Sequence, residues 1–165
     1  MQRVQALLIL FFGITFFAAS PARGGDARTT FANIKALAGE WQGKNSEGQA
    51  VNASYKVLSN GSAVVETLKP AEEPSMVTVY HLDGNHLRMT HYCAAGNQPR
   101  MKASALGPHS VTFDFVDATN LAKPTDGHMN NLTIDFLGAN SVRHKWTWLQ
   151  NGEKQDNVFE FNRVK

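Results

Sequence analysis

From Trp41 to the C-terminus, apolar and polar residues alternate with a period of two, the pattern of β-strands that bury one face. The alternating runs are short, and they are separated by residues that favour turns, such as Asp83-Gly84-Asn85 and Asn151-Gly152, both predicted as type I′ hairpins. Most connections are too short for anything but antiparallel neighbours. The predicted strands cover residues 41–44, 51–58, 62–68, 76–82, 86–93, 100–106, 109–116, 131–137, 141–149 and 156–164.

One short helix precedes the strands. Phe31, Ile34 and Leu37 have the spacing of one helical face, and Thr29 or Thr30 is available as the N-cap. A helix of this length cannot cover a ten-stranded sheet with one apolar face, so the sheet must close on itself. We therefore predict an all-β fold: an up-and-down antiparallel β-barrel of about ten strands with one short N-terminal helix.

The first residues have the pattern of a secretory signal peptide. Arg3 supplies a short positive region, an apolar run follows over residues 4–17, and Ser20 and Ala22 fit the small residues before a cleavage site. We expect a signal peptide over 1–22, a flexible lead-in over 23–30 and one barrel domain over 31–165. The alternative is an uncleaved membrane anchor, for which the apolar run is short. Cleavage implies a secreted or periplasmic protein without stable membrane anchoring.

Composition narrows the classes of partner. The formal net charge is only +2, and the Lys and Arg residues are scattered, so we expect no nucleic-acid partner. Cys93 is the only cysteine and cannot form an internal disulfide, so the exported domain must be stabilised by packing. We expect a monomer or weak homodimer whose partner is a small-molecule ligand.

The segment Gly39-Glu40-Trp41 follows the predicted helix and precedes the first strand. It resembles the Gly-x-Trp signature of the calycins, the superfamily of lipocalins, fatty-acid-binding proteins and nitrobindins. The chain is most similar to uncharacterised exported bacterial lipocalin-like proteins. The resemblance implies that Trp41 plugs one end of the barrel and that Arg163, near the chain's end, lies across its ring. Nitrobindins bind haem, but their ligating histidine lies near the C-terminus, where this sequence has no histidine after His144.

Alternation also predicts which residues face the barrel interior. Most of them are apolar or aromatic, as a small-molecule cavity requires, and a few are polar. The predicted ligand-binding residues are Tyr55, Glu66, Met89, His91, Arg100, Phe113, Phe115, His144, Trp146 and Trp148.

The polar candidates each have two interpretations. Glu66 is either a buried carboxyl paired with a histidine or Arg100, or it points into water. His91 and His144 either orient a ligand and handle protons, or are core histidines bonded within the protein. A metal site made of His91, His144 and Glu66 is conceivable, but distant residues provide no spacing signature, so we predict none.

Two further residues that follow His91 in the sequence, Cys93 and Arg100, are candidates with two interpretations each. Cys93 pairs with His91 at i, i+2 as a candidate thiolate–imidazole couple, although a small buried hydrophobe is the simpler interpretation. Arg100 either binds a ligand carboxylate at the barrel mouth or belongs to a solvated turn.

The preferred hypothesis is an exported, non-catalytic barrel that binds a small apolar or amphipathic molecule. The first alternative is a haem-binding or enzymatic nitrobindin-like barrel that uses His91 or His144, with haem as its cofactor. The second is a structural or interaction module with a filled barrel, whose partner binds the segment 117–130. We predict no catalytic residues and no cofactor under the preferred hypothesis.

Overall fold

The computed structural model describes residues 25–164, so the predicted signal peptide over 1–22 lies outside the described residues. A short helix, α1, covers Ala27–Ala36, and ten strands follow in one closed antiparallel barrel. The strands are β1 Gly39–Asn45, β2 Ala50–Leu58, β3 Ala63–Pro70, β4 Met76–Asp83, β5 His86–Tyr92, β6 Gln98–Leu106, β7 Ser110–Thr119, β8 His128–Gly138, β9 Ser141–Gln150 and β10 Glu153–Arg163.

Each strand pairs with its neighbours in the chain, and β10 returns to pair with β1. The predicted fold class is confirmed. At the seam Gly43 approaches β10 so closely that an added Cβ would overlap the carbonyl oxygen of Glu160, which explains the glycine at this point. Among the described residues, no helix is long and apolar enough to cross a membrane.

The helix begins earlier than predicted. Asp26, rather than Thr29 or Thr30, is the N-cap, because its carboxylate accepts hydrogen bonds from the backbone N–H groups of Arg28 and Thr29, both at 2.9 Å. Residues 27–30 of the expected lead-in are therefore helical. The predicted apolar face is confirmed: Phe31, Ile34 and Leu37 are buried against the barrel core.

Of the two turns predicted as type I′, one has the predicted backbone conformation and the other does not. Asn151 and Gly152 both have positive φ, 52° and 83°, as a type I′ turn requires. At the β4–β5 hairpin Gly84 has a φ of 60°, and Asn85 does not have positive φ. Positive φ at the first central residue alone is the pattern of a type II′ turn, so the type I′ prediction was wrong there.

One end of the barrel is closed by α1 and by Trp41. The indole N–H of Trp41 donates to the carbonyl oxygen of Leu37 at 2.8 Å. The guanidinium of Arg163 lies 4.3 Å from the centre of the Trp41 ring and donates to the carbonyl oxygens of Ala36 and Ala38. The contact between Arg163 and Trp41 that the resemblance implied is therefore present. Because this end of the barrel is closed, we call the opposite end the mouth.

Candidate functional site

Four neighbouring strands place a polar side chain at one level of the interior. Strand register sets Tyr55 beside Glu66, Glu66 beside Thr78, and Thr78 beside His91. All four residues are at most 2% exposed. We call these four residues, Tyr55, Glu66, Thr78 and His91, the polar belt. The polar belt arises because inward-facing residues that are paired across neighbouring strands lie at the same level of the barrel.

His144 reaches the polar belt from β9 on the far side of the barrel. Its Nε2 lies 2.9 Å from the Tyr55 hydroxyl, and its Nδ1 lies 3.5 Å from Glu66 Oε1. The atoms of this second pair, His144 Nδ1 and Glu66 Oε1, are not hydrogen-bonded to each other, and neither has another hydrogen-bond partner among residues 25–164. The Tyr80 hydroxyl donates to Glu66 Oε2 at 2.5 Å. Glu66 is therefore buried, as one of its two interpretations predicted, but its hydrogen-bond partner is Tyr80 rather than a histidine or Arg100.

Burial decides the charge state of this cluster. It raises the pKa of Glu66 from 4.5 to about 7, an effect that the Tyr80 hydrogen bond partly offsets. Burial also lowers the pKa of His144 from 6.5 to about 3. Both shifts disfavour the charged forms, so Glu66 and His144 are neutral partners in mildly acidic solution rather than an ion pair. Burial, followed by the Glu66 charge, raises the pKa of Tyr55.

His91 is buried on another side of the interior, one strand from Thr78. Its Nδ1 lies 2.9 Å from the Thr78 hydroxyl, and its ring is stacked at a tilt on Trp146 with centroids 4.5 Å apart. His91 Nε2 and the indole Nε1 of Trp146 find no hydrogen-bond partner in the described part of the chain. Burial lowers the pKa of His91 to about 4, so its imidazole is neutral at physiological pH.

A cavity of about 310 Å³ opens at the barrel mouth, with His91 and Trp146 in its wall. Its wall is mainly apolar, and among residues 25–164 the only charged residue in it is Glu73, from the loop between β3 and β4. We call this space the mouth cavity. Its lining is Leu68, Glu73, Met76, His91, Cys93, Ala94, Ala95, Met129, Trp146, Trp148, Gln155, Asn157 and Phe159.

The loop between β7 and β8 supports one side of the mouth cavity. The side-chain amide of Asn97 donates to the carbonyl oxygen of Gly127 at 2.8 Å, which ties this loop to the corner after β5. Gly127 packs so closely on the Trp148 ring that an added Cβ would overlap it. The orientation of Trp148 at the mouth therefore depends on a glycine in the loop.

The structure separates the sequence-predicted residues into three groups. His91, Trp146 and Trp148 line the mouth cavity. Tyr55, Glu66, Met89, Phe113 and His144 are buried but do not line it, and half-buried Phe115 is stacked on His128 with centroids 4.5 Å apart. Arg100 is not brought to the interior: it is exposed on the outer face and binds Asp117 with two hydrogen bonds, of 2.5 and 2.8 Å.

Several lining residues were missed for identifiable reasons. Gln155 and Asn157 share the inward parity of Phe159 on β10, so alternation could have found them despite their polar side chains. Glu73 comes from an irregular loop, where periodicity carries no signal. Cys93 is half-buried in the wall, and burial raises the pKa of its thiol, which favours the interpretation as a small hydrophobe over a thiolate.

The cofactor alternatives concern a metal site at His91, His144 and Glu66 and a haem site at His91 or His144. Among residues 25–164 no group of three or more His, Cys, Asp or Glu side chains is arranged to hold a metal ion, so His91, His144 and Glu66 do not combine as ligands. The Tyr55 hydroxyl lies 2.9 Å from His144 Nε2, and Glu66 lies 3.5 Å from Nδ1 without a hydrogen bond, so protein groups face both ring nitrogens. His91 keeps one ring nitrogen without a partner in the described part of the chain, and haem binding at His91 or His144 stays a prediction.

Comparison with known proteins bears on the fold alone. Neither a protein family model nor a curated protein matches the sequence. Among solved structures the chain is similar to a protein of unknown function from the DUF3598 family of Nostoc punctiforme, with a TM-score of 0.56 and 10% sequence identity. The match covers 79% of this chain and 49% of that chain, so this chain spans about half the length of its structural neighbour.

Proposed function

We propose that this protein binds one small, mainly apolar molecule in the mouth cavity and catalyses no reaction. The observation that carries the proposal is a cavity of about 310 Å³ with a mainly apolar wall, in which two lining residues, His91 and Trp146, each have a buried ring nitrogen without a hydrogen-bond partner among residues 25–164. Buried polar groups normally find partners, and a ligand with a polar end would supply one.

The cavity is lined in part by buried, inward-facing residues of the barrel, which together with its size supports binding over a filled barrel. Protein interiors are close-packed and contain few voids larger than a water molecule. Small-molecule sites typically measure about 300–1,000 Å³, so the mouth cavity suits a ligand at the small end of this range. Aromatic side chains of Trp146, Trp148 and Phe159 offer contacts for an apolar body. Of the polar belt, only His91 lines the cavity, and the other three residues belong to the buried core.

We further propose that the barrel is calycin-like and that the protein is exported to a periplasmic or extracellular space. The closed end supports the first part, because Trp41 and Arg163 make the contact expected of that superfamily. The sequence of residues 1–22 supports the second part. Protein sequencing of the N-terminus after expression in a bacterial host would test export, with cleavage after Ala22 as the expected result.

The binding proposal can be tested with N-phenylnaphthylamine, an uncharged probe that fluoresces in apolar surroundings. We expect saturable binding to the wild-type protein and loss of binding in Ala95→Trp, because Ala95 is an exposed residue at the cavity rim. The matched control is Ala32→Trp, on the exposed face of α1, which should bind like wild type. Absence of saturable binding, or equal binding by both variants, would contradict the proposal.

A further inference from the structure

We infer that the mouth cavity selects uncharged molecules whose polar end accepts a hydrogen bond, such as alcohols, ketones and esters, over carboxylates of the same length. This inference rests on the proposed function, and it narrows the chemical class of the ligand. It departs from the expectation drawn from Arg100, which would have favoured a carboxylate.

The charges around the cavity argue against an anion. No Lys or Arg of residues 25–164 lines the cavity, and the only charged lining residue, Glu73, is itself anionic. The residue that the sequence predicted as a cationic partner, Arg100, is on the outer face and paired with Asp117. A carboxylate entering the cavity would lose water and meet a like charge, and both effects oppose its binding.

His91 does not replace the missing cation. Its ring is buried between Thr78 and Trp146, and burial keeps its pKa at about 4. A neutral imidazole donates or accepts through Nε2 according to its tautomer, which the Thr78 hydroxyl permits in either form. A hydroxyl on a ligand can pair with either tautomer and a carbonyl with the one in which Nε2–H donates, whereas a full negative charge gains no ion pair there.

Trp146 favours an acceptor on the ligand. Its indole N–H is buried, has no partner among the described residues and can only donate a hydrogen bond. An alkylammonium ion carries donors and no acceptor, so it cannot satisfy this group. The nearby Trp148 differs, because its indole N–H lies 3.4 Å from Gln150 Oε1.

The test compares 1-octanol, octanoate and octylamine by tryptophan fluorescence titration near neutral pH. We expect 1-octanol to bind at least about tenfold more tightly than octanoate, since the carboxylate must be desolvated without a counter-ion. Octanoate affinity should rise severalfold in Glu73→Gln and stay unchanged in Glu72→Gln, because Glu72 is the adjacent exposed carboxylate that does not line the cavity. Trp146→Phe should weaken 1-octanol binding by roughly 2- to 10-fold, the value of one neutral hydrogen bond, and Trp148→Phe should weaken it less.

The outcomes separate this inference from the proposed function. If octanoate or octylamine binds as tightly as 1-octanol, or if all three fail while N-phenylnaphthylamine binds saturably, the inference is overturned and the binding site is retained. An equal effect of Glu73→Gln and Glu72→Gln on octanoate would also overturn it. If none of the four compounds binds saturably, the proposed function itself is overturned.

Discussion

The buried carboxyl group of Glu66 predicts an unusual dependence of stability on pH. Its pKa is raised in the folded protein from 4.5 to about 7, chiefly by burial. A raised pKa means that the folded state binds the proton more tightly than the unfolded state. Its contribution to the free energy of unfolding is therefore fully present below pH 4.5 and is lost as the pH rises through about 7.

The size of the effect follows from the shift. A rise from 4.5 to about 7, at about 1.4 kcal/mol per pKa unit, corresponds to about 3 kcal/mol. His91 and His144 act in the opposite direction: their lowered pKa values, about 4 and about 3, give stability that is present above 6.5 and lost on acidification. The Glu66 contribution must therefore be isolated as a difference between two proteins.

The perturbation is Glu66→Gln, which keeps the size of the side chain and removes its titration. Urea unfolding of the wild-type protein and the variant would be measured at intervals from about pH 4 to pH 8. We expect the free energy of unfolding of the wild type to fall by about 3 kcal/mol relative to the variant across this range. Glu160→Gln, on the exposed outer face of β10, controls for the loss of one surface carboxylate.

Two results would refute this reasoning. A flat difference between wild type and Glu66→Gln would mean that Glu66 titrates alike in the folded and unfolded chains. A difference that grows in favour of the wild type as pH rises would mean that Glu66 and His144 form a true ion pair across their 3.5 Å separation.

Three further substitutions test how the barrel is closed. Arg163→Lys should lower the free energy of unfolding by roughly 1–3 kcal/mol in urea titrations, because lysine cannot cover Trp41 and bond several carbonyls at once; an unchanged midpoint would refute this. Gly43→Ala should cost roughly 1–3 kcal/mol through overlap with the Glu160 carbonyl, so a wild-type melting temperature would contradict the close seam. Asp26→Ala should lower the free energy of unfolding by about 1 kcal/mol, and Asp26→Asn, which keeps a capping oxygen, should lower it much less. Equal losses in the two variants would contradict a role for Asp26 as a hydrogen-bonded cap.

Local pattern was sufficient for the strands because each strand must bury one face and each connection is short. Tyr55, Glu66 and His144 were correctly placed in the interior, since parity alone decides which side of a strand faces inward. Parity also explains the error at Arg100: Met101 faces inward, so its neighbour on the same strand faces outward.

The mouth cavity was not predictable in the same way. Whether an inward residue lines an open space depends on its height along the barrel and on the side chains that reach it from the opposite wall. His91 and Glu66 lie at one level of the polar belt, yet only His91 borders the cavity, because His144 crosses the interior to Glu66. Such contacts join strands that are distant in sequence, and a single sequence gives no spacing signal for them.

The most direct measurement of the central claim follows the indole N–H signals of the three tryptophans by nuclear magnetic resonance during titration with 1-octanol. The Trp41 indole N–H donates to Leu37 at the closed end, whereas Trp146 lies in the cavity wall and its indole N–H has no partner within residues 25–164. We predict a saturable shift of the Trp146 signal, a smaller one for Trp148 and none for Trp41. Equal shifts of all three signals, or a shift of Trp41 alone, would contradict a binding site at the barrel mouth.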